Sequence, residues 1–143
     1  MNGRKRHLLT DSQGLLLEAV VHSASIQDQD GARLVLSQAK GRESGRWLRR
    51  LELIWVDGKY AGKLEEFVKK TYGITLQVVK RAKDAVGFVV LPRRWVIERT
   101  FGWFGRYRRL SRDYEYLLLT TEVLIYAVMV RLMLARLTRK KRC

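Results

Sequence analysis

A single carboxylate stands among arginines and aromatic side chains in the segment 95–110. Glu98 has Arg94 four residues before it and Arg99 directly after it. Carboxylate oxygens are favoured ligands of hard divalent cations, and arginines bind the phosphates of a nucleic-acid backbone. One interpretation is therefore a divalent metal ion held by Glu98 beside a nucleic-acid phosphate. The alternative is a solvated helix on which Glu98 pairs with Arg94 at position i−4.

A second acid, Asp57, directly follows the nearly continuous apolar run 51–56. Such a run predicts a buried strand, and open α/β sheets bind their ligands at the carboxyl ends of strands. Two metal ions held by acids can cut and join phosphodiester bonds, because one activates the attacking water or 3′-hydroxyl while the other stabilises the leaving oxygen. We expect folding to bring Asp57 and Glu98 together in such a site.

The composition indicates a globular domain with a polyanionic partner. The chain has 29 Lys and Arg residues against 14 Asp and Glu residues, a net charge of +15 over 143 residues, in clusters spread along its length. A hydrophobic content of 47%, with 4 Trp and 1 Pro, predicts a packed core in one domain and excludes a disordered basic tail. Cys143 stands alone, which suits a reducing cytoplasm. With His7 and His22 it is too small a set for a zinc site, so a metal held by oxygen ligands is expected.

Hydrophobic periodicity predicts four strands and four helices. Asp11-Ser12-Gln13-Gly14 forms the predicted turn of a hairpin, and Asp28 and Asp30 are predicted to cap a helix rather than to bind calcium. The expected strands lie at 6–10, 15–21, 51–56 and 74–79. One helix is expected to be capped within 28–31 and stopped by Lys40-Gly41, and the others lie at 64–72, 92–109 and 120–136. This order predicts an α/β fold with one mixed sheet and helices on its faces.

One face of the predicted helix 92–109 carries the candidate acid. Arg94, Glu98, Phe101, Gly102 and Gly105 share it by the i, i+3, i+4, i+7 rule, and the two glycines leave room for a backbone or a phosphate. The aromatic side chains of this helix are expected in the core rather than on a base-stacking surface. The run 88–91 is expected to pack under the helix, which begins after Pro92.

The C-terminal apolar segment 123–137 is predicted to be a buried core helix. Its uninterrupted apolar run ends at Arg131, short of the roughly 20 residues that cross a bilayer. A partner-binding or membrane-surface helix is the alternative. The first residues show no secretory signal, so we expect a cytoplasmic location.

Several blocks of the sequence resemble the DDE transposases of bacterial insertion sequences. The resemblance covers nearly the whole chain, in blocks at 3–9, 27–32, 57–63, 87–103 and 106–115. It implies a ribonuclease-H-like fold, Mg²⁺ or Mn²⁺ as cofactor, DNA as partner, and cleavage and strand transfer as the reaction. By this resemblance Asp57 corresponds to the second catalytic aspartate and Glu98 to the catalytic glutamate. Arg94 matches the arginine of the family's Tyr-Arg-Glu-Lys signature.

The sequence departs from the family pattern at four places. Leu91 occupies the signature tyrosine position, and Gly105 the lysine position, with Arg106 as the nearest base. Lys59 replaces a glycine that usually follows the aspartate. In the family, the first catalytic aspartate lies on a strand upstream of the basic hairpin. The resemblance therefore describes residues 1–143 as a single partial catalytic domain that lacks this first strand.

An incomplete catalytic domain would bind Mg²⁺ weakly and catalyse poorly alone, and would need a complementary transposase fragment or another copy. The alternative function is a non-catalytic basic remnant that binds DNA, or an inhibitor of an intact transposase. In both cases the resemblance implies a nucleoid-associated protein. The residues predicted to contact DNA are Arg94, Arg99, Arg106, Arg108, Arg109, Lys59, Arg4, Lys5 and Arg6.

Overall fold

The computed structural model describes residues 3–80, 86–87 and 93–139, and these form an α/β fold. The elements, in chain order, are β1 (Arg4–Thr10), β2 (Leu16–Ser23), α1 (Asp28–Gly41), β3 (Leu53–Asp57), α2 (Lys63–Tyr72), β4 (Thr75–Val79), α3 (Arg94–Gly105), α4 (Arg108–Ser111) and α5 (Leu118–Thr138). Short 3₁₀ helices at Glu43–Arg50 and Gly58–Tyr60 flank β3. Neither was predicted.

The N-terminal hairpin has the predicted turn. β1 pairs antiparallel with β2, with Arg4 opposite Ser23 and Leu9 opposite Glu18. The Oδ1 atom of Asp11 accepts the backbone N–H groups of Gln13 and Leu15, both at 2.9 Å. A short acidic side chain that accepts backbone N–H groups in this way stabilises a turn. Asp11 therefore has the structural role that the sequence predicted.

Helix α1 begins at Asp28, and its N-cap lies one residue before the predicted capping residues. Gln27 is the N-cap and makes no side-chain capping bond, so the prediction that Asp28 and Asp30 cap the helix is wrong. Both acids lie in the first turn, where negative charge favours the helix dipole. The Asp28 carboxylate lies 3.1 Å from Nζ of Lys5 and so joins α1 to β1.

The second strand pair is parallel. β3 and β4 pair from Leu53 opposite Thr75 to Asp57 opposite Val79. Helix α2 connects them and ends at Gly73, whose φ of 71° is a left-handed conformation that glycine adopts without a steric penalty. The predicted strand–helix–strand unit is confirmed, and Asp57 is the last residue of its strand.

The predicted single mixed sheet is not formed by the residues that the structure describes. β1 and β2 form one two-stranded sheet, and β3 and β4 form another. A cavity of about 520 Å³ lies between β1 and β3, and residues of both strands line it. Hydrophobic alternation shows which face of a strand is apolar but not which strand lies beside it, so the pattern could not reveal this separation.

The two hydrophobic cores are called the α1–α2 core and the α3–α5 core, after helices that contribute to them. The α1–α2 core contains Leu36, Ile54 and Leu64, with Leu9 and Val56 packed against it. The α3–α5 core contains Ala19, Phe104, Leu110, Ile125 and Met129, with Leu8 packed against it. Successive side chains of β1 thus enter opposite cores, as expected for a strand covered on both faces.

Helix α3 is shorter than predicted. It ends at Gly105, and Tyr107 has an extended backbone before α4 begins at Arg108, so the predicted continuous helix to residue 109 is wrong. Gly102 and Gly105 lower the helix propensity of the last turn, which allows the break. The predicted start after Pro92 and the packing of 88–91 lie outside the described residues.

Helix α5 is not the fully buried core helix that was expected. Thr121, Ile125 and Met129 are buried, and this face packs on the α3–α5 core. The helix has 21 residues and is long and apolar enough to cross a membrane by length and composition, with a mean hydropathy of 1.8, and 22% of that window is buried. Its opposite face, which includes Val123, Val130 and Leu134, is exposed.

The outer edge of β2 is closed by side chains from two helices. The N–H group of Ala19 donates to the Tyr126 hydroxyl at 2.9 Å, and its carbonyl accepts from the Gln38 amide at 3.2 Å. The N–H group of Val21 donates to Glu122 at 3.3 Å. Burial raises the pKa of Tyr126 to about 12, so its hydroxyl stays protonated at neutral pH. The backbone groups of this edge therefore have partners without another strand.

A stacked histidine pair joins the hairpin to α1. The rings of His7 and His22 lie 4.7 Å apart with planes 17° from parallel, and both are buried. His7 Nδ1 lies 3.0 Å from the Tyr60 hydroxyl. A Cβ atom at Gly31 would lie 2.6 Å from Nε2 of His22 and closer still to Nε2 of His7. Only glycine fits under these rings.

Replacing Gly31 with Ala is expected to destabilise the fold by about 1–3 kcal/mol, because the added methyl group collides with two buried rings. This loss should exceed the roughly 1 kcal/mol that alanine gains over glycine in a helix. Gly41→Ala is the control, since a Cβ atom there meets nothing within 4 Å. Urea unfolding midpoints measure both variants, and equal midpoints would contradict the packing.

The stability of the fold is expected to fall in mild acid. Burial lowers the pKa of His7 below 6.5, and the neighbouring charge of His22 lowers it further, while Asp28 opposes both. The unfolded chain therefore binds more protons below pH 6.5. The free energy of unfolding should be highest above that pH, decrease as the pH falls below it, and level off below the folded pKa.

Urea unfolding between about pH 5 and pH 8 measures this dependence. His7→Asn should be less stable than the parent chain but should show a flatter dependence on pH over the same range. An unfolding free energy of the parent that does not change across this range would exclude the buried neutral histidine.

Candidate active site

Asp57 lies at the carboxyl end of β3, where the sequence predicted a ligand site. Its Oδ1 atom accepts the backbone N–H group of Lys59 at 2.9 Å, which fixes the carboxylate at the strand end. Burial raises the pKa of Tyr60 to about 12, and the charges of Asp28 and Asp57 contribute to that shift. Asp57 and Tyr60 both line the cavity between β1 and β3.

Glu98 lies in the second turn of α3. It forms the ion pair with Arg94 that the sequence offered as the alternative to a metal site. Its Oε1 atom is 3.2 Å from Nε of Arg94, and the two side chains are 63% and 50% exposed. An exposed i, i+4 pair contributes about 0.3–0.5 kcal/mol, which a stronger ligand can readily replace. The pair therefore leaves Glu98 available to a cation.

The face of α3 that carries Glu98 is exposed. Arg94, Glu98, Phe101, Gly102 and Gly105 are all exposed. A Cβ atom at either glycine would meet nothing within 4 Å, so the surface beside Glu98 is open. The aromatic side chains of α3 are not all buried in the core, contrary to the expectation. Phe104 is 1% exposed, whereas Trp95 is 46% and Phe101 39% exposed.

The start of α3 is held against β3 by a contact that the sequence did not reveal. The guanidinium of Arg93 lies 3.8 Å from the ring centre of Trp55. A cation at this distance over an indole is attracted by the ring electrons. Arg93 has a φ of 66°, a backbone conformation that non-glycine residues seldom adopt. These two residues are 38 positions apart, and no spacing rule connects them.

A second unpredicted contact fixes α3 on the hairpin turn. The buried hydroxyl of Thr100 donates to the carbonyl of Gly14 at 2.7 Å. A Cβ atom at Gly14 would lie 2.7 Å from this hydroxyl, and Gly14 has a φ of 85°. Glycine at this turn thus satisfies both the backbone conformation and the close approach of α3. A threonine in the middle of a helix gives no sequence signal for such a role.

Arg94 is the residue that connects the surroundings of Asp57 with Glu98. Arg94 lines the same cavity as Asp57 and pairs with Glu98. Within the described ranges, no three His, Cys, Asp or Glu side chains are grouped to hold a metal ion. The two carboxylates have the hard oxygen donors that Mg²⁺ or Mn²⁺ prefers, so the donor type fits such a cation. Two carboxylates supply an incomplete set of protein ligands.

The arginines of the N-terminal cluster are used within the fold. Arg4 donates to Asp113 at 3.1 Å and to the carbonyl groups of Glu115 and Tyr116, and Arg6 donates to the Leu110 carbonyl at 2.8 Å. Both still line an open pocket of about 610 Å³ with Arg112 and Phe101. Lys5 is paired with Asp28, so its charge is partly compensated.

The other predicted DNA contacts differ in exposure. Arg106 and Arg108 are exposed, and Lys59 is 70% exposed with the Asp28 carboxylate at 3.9 Å. Arg109 is exposed and pairs with Glu115 at 2.6 Å. Arg99 lies between the rings of Trp95 and Trp103, at 4.7 and 5.0 Å, and donates to the Gln13 carbonyl. Arg106 and Arg108 thus have the most freely accessible charges of this set.

The chain matches a family model described as "Transposase DDE domain" over residues 1–133. It is 27% identical over 115 residues to a Burkholderia cepacia protein described as "Putative transposase for insertion sequence element IS402". That alignment covers 79% of this chain and 54% of the relative, so the chain spans about half the relative's length. No solved structure matches the chain significantly. Since the family model covers nearly all of the sequence, the chain belongs to the DDE transposase domain family.

Proposed function

We propose that this chain supplies two acidic ligands, Asp57 and Glu98, to a DNA transposase that cuts and rejoins phosphodiester bonds with Mg²⁺ or Mn²⁺. The observation that carries this proposal is the shared cavity, which is lined by Asp57 and by Arg94, the ion-pair partner of Glu98. Family membership supports the reaction. The open surface beside Glu98 supports access for a DNA backbone.

The side chains around the two acids have separate tasks in this proposal. Asp57 and Glu98 would hold the divalent ions, which supply a charged nucleophile and stabilise the leaving oxygen when bound. Arg94 would exchange its pairing with Glu98 for a DNA phosphate once a cation neutralises that carboxylate. Arg93 keeps α3 at β3 through Trp55, and thereby positions Glu98.

The proposal includes a ribonuclease-H-like arrangement that requires a further segment. Support comes from the two separate strand pairs and from the cavity between β1 and β3, which residues of α1, α2 and α3 also line. Two carboxylates alone bind Mg²⁺ weakly, because this cation retains water unless several oxygen ligands are fixed around it. Residues 1–143 alone should therefore catalyse poorly, and a complementary transposase segment is the proposed partner.

DNA binding is proposed along the exposed face of α3 and the break that follows it. Arg106 and Arg108 are exposed there, and Arg4, Arg6 and Arg112 meet at the open pocket beside Phe101. Clustered cations of this kind bind the phosphate backbone whatever the base sequence. A DNA partner also leads us to propose a cytoplasmic, nucleoid-associated location.

A non-catalytic DNA-binding role is the second candidate. It is favoured by the incomplete ligand set, because the described residues contain no group of three acids or histidines. Such a chain would compete with an intact transposase for the same DNA. The two functions differ in whether the acids matter for turnover, and substitution of these acids separates them.

Asp57→Asn and Glu98→Gln are each expected to reduce Mg²⁺-dependent nicking of insertion-end DNA by more than about 100-fold, because each removes a charged cation ligand. DNA affinity should stay constant or rise, since each change removes one negative charge. The assay uses the chain together with the remaining part of a full-length transposase. Glu66→Gln, an exposed acid on α2, is the control and should retain activity. Unchanged nicking in either variant would exclude the proposed catalytic acids.

Affinity for duplex DNA is expected to fall linearly on a plot of log affinity against log salt concentration, because phosphate contacts release counterions. Arg108→Gln should weaken binding to every DNA sequence and reduce the steepness of that line by about one. Lys70→Gln, an exposed base on α2 outside the predicted set, is the control. Equal salt dependence in the parent and Arg108→Gln would remove Arg108 from the DNA-binding surface.

A further inference from the structure

The face of α5 that points away from the α3–α5 core carries a mostly apolar stripe. Its members, called the α5 stripe, are Thr120, Val123, Ala127, Val130, Leu134 and Leu137. Thr120 is half-buried and Ala127 is exposed, while the two valines and two leucines are each at least 54% exposed. Contiguous exposed apolar surface of this kind marks an interaction site.

Successive members of the α5 stripe are alternately three and four residues apart. This is the heptad spacing of helices that pack side by side, in which one seam position recurs at Thr120, Ala127 and Leu134. The other seam position recurs at Val123, Val130 and Leu137. Contact with a bilayer surface requires only an apolar helix face with polar flanks. The regular spacing therefore favours another helix as the occupant of this face.

The charged side chains of α5 are held away from the stripe. Glu122, the one acid of this helix, accepts the N–H group of Val21 at the edge of β2. The guanidinium of Arg131 lies 5.9 Å from the ring centre of Tyr107, and that of Arg136 lies 4.7 Å from that of Trp103. The stripe is therefore uncharged, and a second copy of it would meet it without a like-charge contact along the seam.

The sizes of the side chains favour an antiparallel pair. In such a pair Leu137 of one copy meets Thr120 of the other, Leu134 meets Val123, and Val130 meets Ala127. Each layer then combines a larger side chain with a smaller one, which fills the space between two helices evenly. A parallel pair would instead place each residue beside its own copy.

The basic residues that follow α5 also favour the antiparallel arrangement. Arg139-Lys140-Lys141-Arg142 come directly after the helix, and a parallel pair would bring both sets of four cations to the same end. The antiparallel pair separates them by the length of the stripe, about 25 Å. This exceeds the Debye length of about 10 Å at 0.1 M salt, so their repulsion is largely screened.

We propose that the α5 stripe is a dimer interface that binds the α5 stripe of a second copy of this chain in antiparallel orientation. The interface requires neither DNA nor a divalent cation, so it goes beyond the proposed function. Because each copy is strongly positive, added salt should strengthen the dimer by screening the repulsion between the two chains. The same salt weakens the contacts with DNA phosphates.

Sedimentation equilibrium of residues 1–143 tests the interface, with Cys143→Ser as the parent so that no disulfide joins two chains. We expect a reversible equilibrium between monomer and dimer, with an affinity that rises with salt concentration. Val130→Lys should weaken the dimer by at least about tenfold, because it buries a charge at the centre of the seam. Leu34→Lys makes a similar change on the exposed surface of α1 and is the control.

A parent that remains monomeric at its highest soluble concentration would overturn the proposal, as would equal dimer affinities of Val130→Lys and the parent. Circular dichroism verifies that both lysine variants are folded. Leu134→Ala introduces no charge, keeps a good helix former and should also weaken the dimer. It replaces Val130→Lys as the test if that variant does not fold.

Thiol cross-linking tests the orientation. Chains with Thr120→Cys are mixed with chains that carry Leu137→Cys, both in the Cys143→Ser background, and a short cross-linker is added. Antiparallel pairing predicts that most covalent dimers contain one chain of each kind. Dimers joined mainly between two chains of the same kind would overturn the antiparallel arrangement.

A lipid surface is the competing occupant, and vesicles of phosphatidylcholine distinguish it because they carry no net charge. A parent that stays monomeric and binds these vesicles, with binding lost in Val130→Lys, would overturn the dimer in favour of a membrane surface. The outcome is separate from the catalytic assignment. Asp57→Asn and Glu98→Gln lie outside α5 and should leave the dimer affinity unchanged.

Discussion

Backbone hydrogen bonding within the strand layer is the constraint on which the rest of this structure depends. Each strand has N–H and C=O groups on both of its edges, and those that are buried need hydrogen-bond partners. The outer edge of β2 meets this requirement through Tyr126, Glu122 and Gln38. The strands β1 and β3 lie on either side of a cavity that residues of both strands line. The separation of the fold into two sheets follows from this difference.

The positive charge of the chain has two distinct roles. Arg4 donates to carbonyl groups of the α4–α5 connection, and Arg6 donates to the Leu110 carbonyl of α4. Arg93 lies over the Trp55 ring. These contacts join the hairpin to α4 and the segment after it, and α3 to β3. Within the described part of the chain, Arg106 and Arg108 form no side-chain ion pair or hydrogen bond, and both are exposed. A net charge of +15 therefore overstates the charge that is free to meet a polyanion.

The arrangement of the two candidate acids depends on the elements that hold them. Asp57 is fixed by the end of a parallel strand pair and by the N–H group of Lys59. Glu98 is fixed only by its helix and by an exposed pairing with Arg94. The position of α3 relative to β3 thus controls the distance between the two carboxylates. That position is set by Arg93 on Trp55 and by Thr100 on Gly14.

The sequence alone determined the local elements and the types of residue at the candidate site. Apolar periodicity and turn residues predicted the hairpin, α1, β3, α2 and β4, because these signals act over a few neighbouring residues. The same signals identified Asp57 at a strand end and Glu98 on the exposed face of α3. The sequence predicted that α3 continues to residue 109, although it ends at Gly105, because helix propensity alone does not fix where a helix ends.

Only the tertiary structure decided how these elements meet. The separation of β1–β2 from β3–β4, the single buried face of α5 and the contacts of Arg93 and Thr100 join residues that are far apart in the chain. Sheet pairing and helix packing depend on which surfaces remain uncovered after every other element has packed. A periodic pattern records which face of an element is apolar but not which partner covers it, and for this physical reason the cavity could be found only in three dimensions.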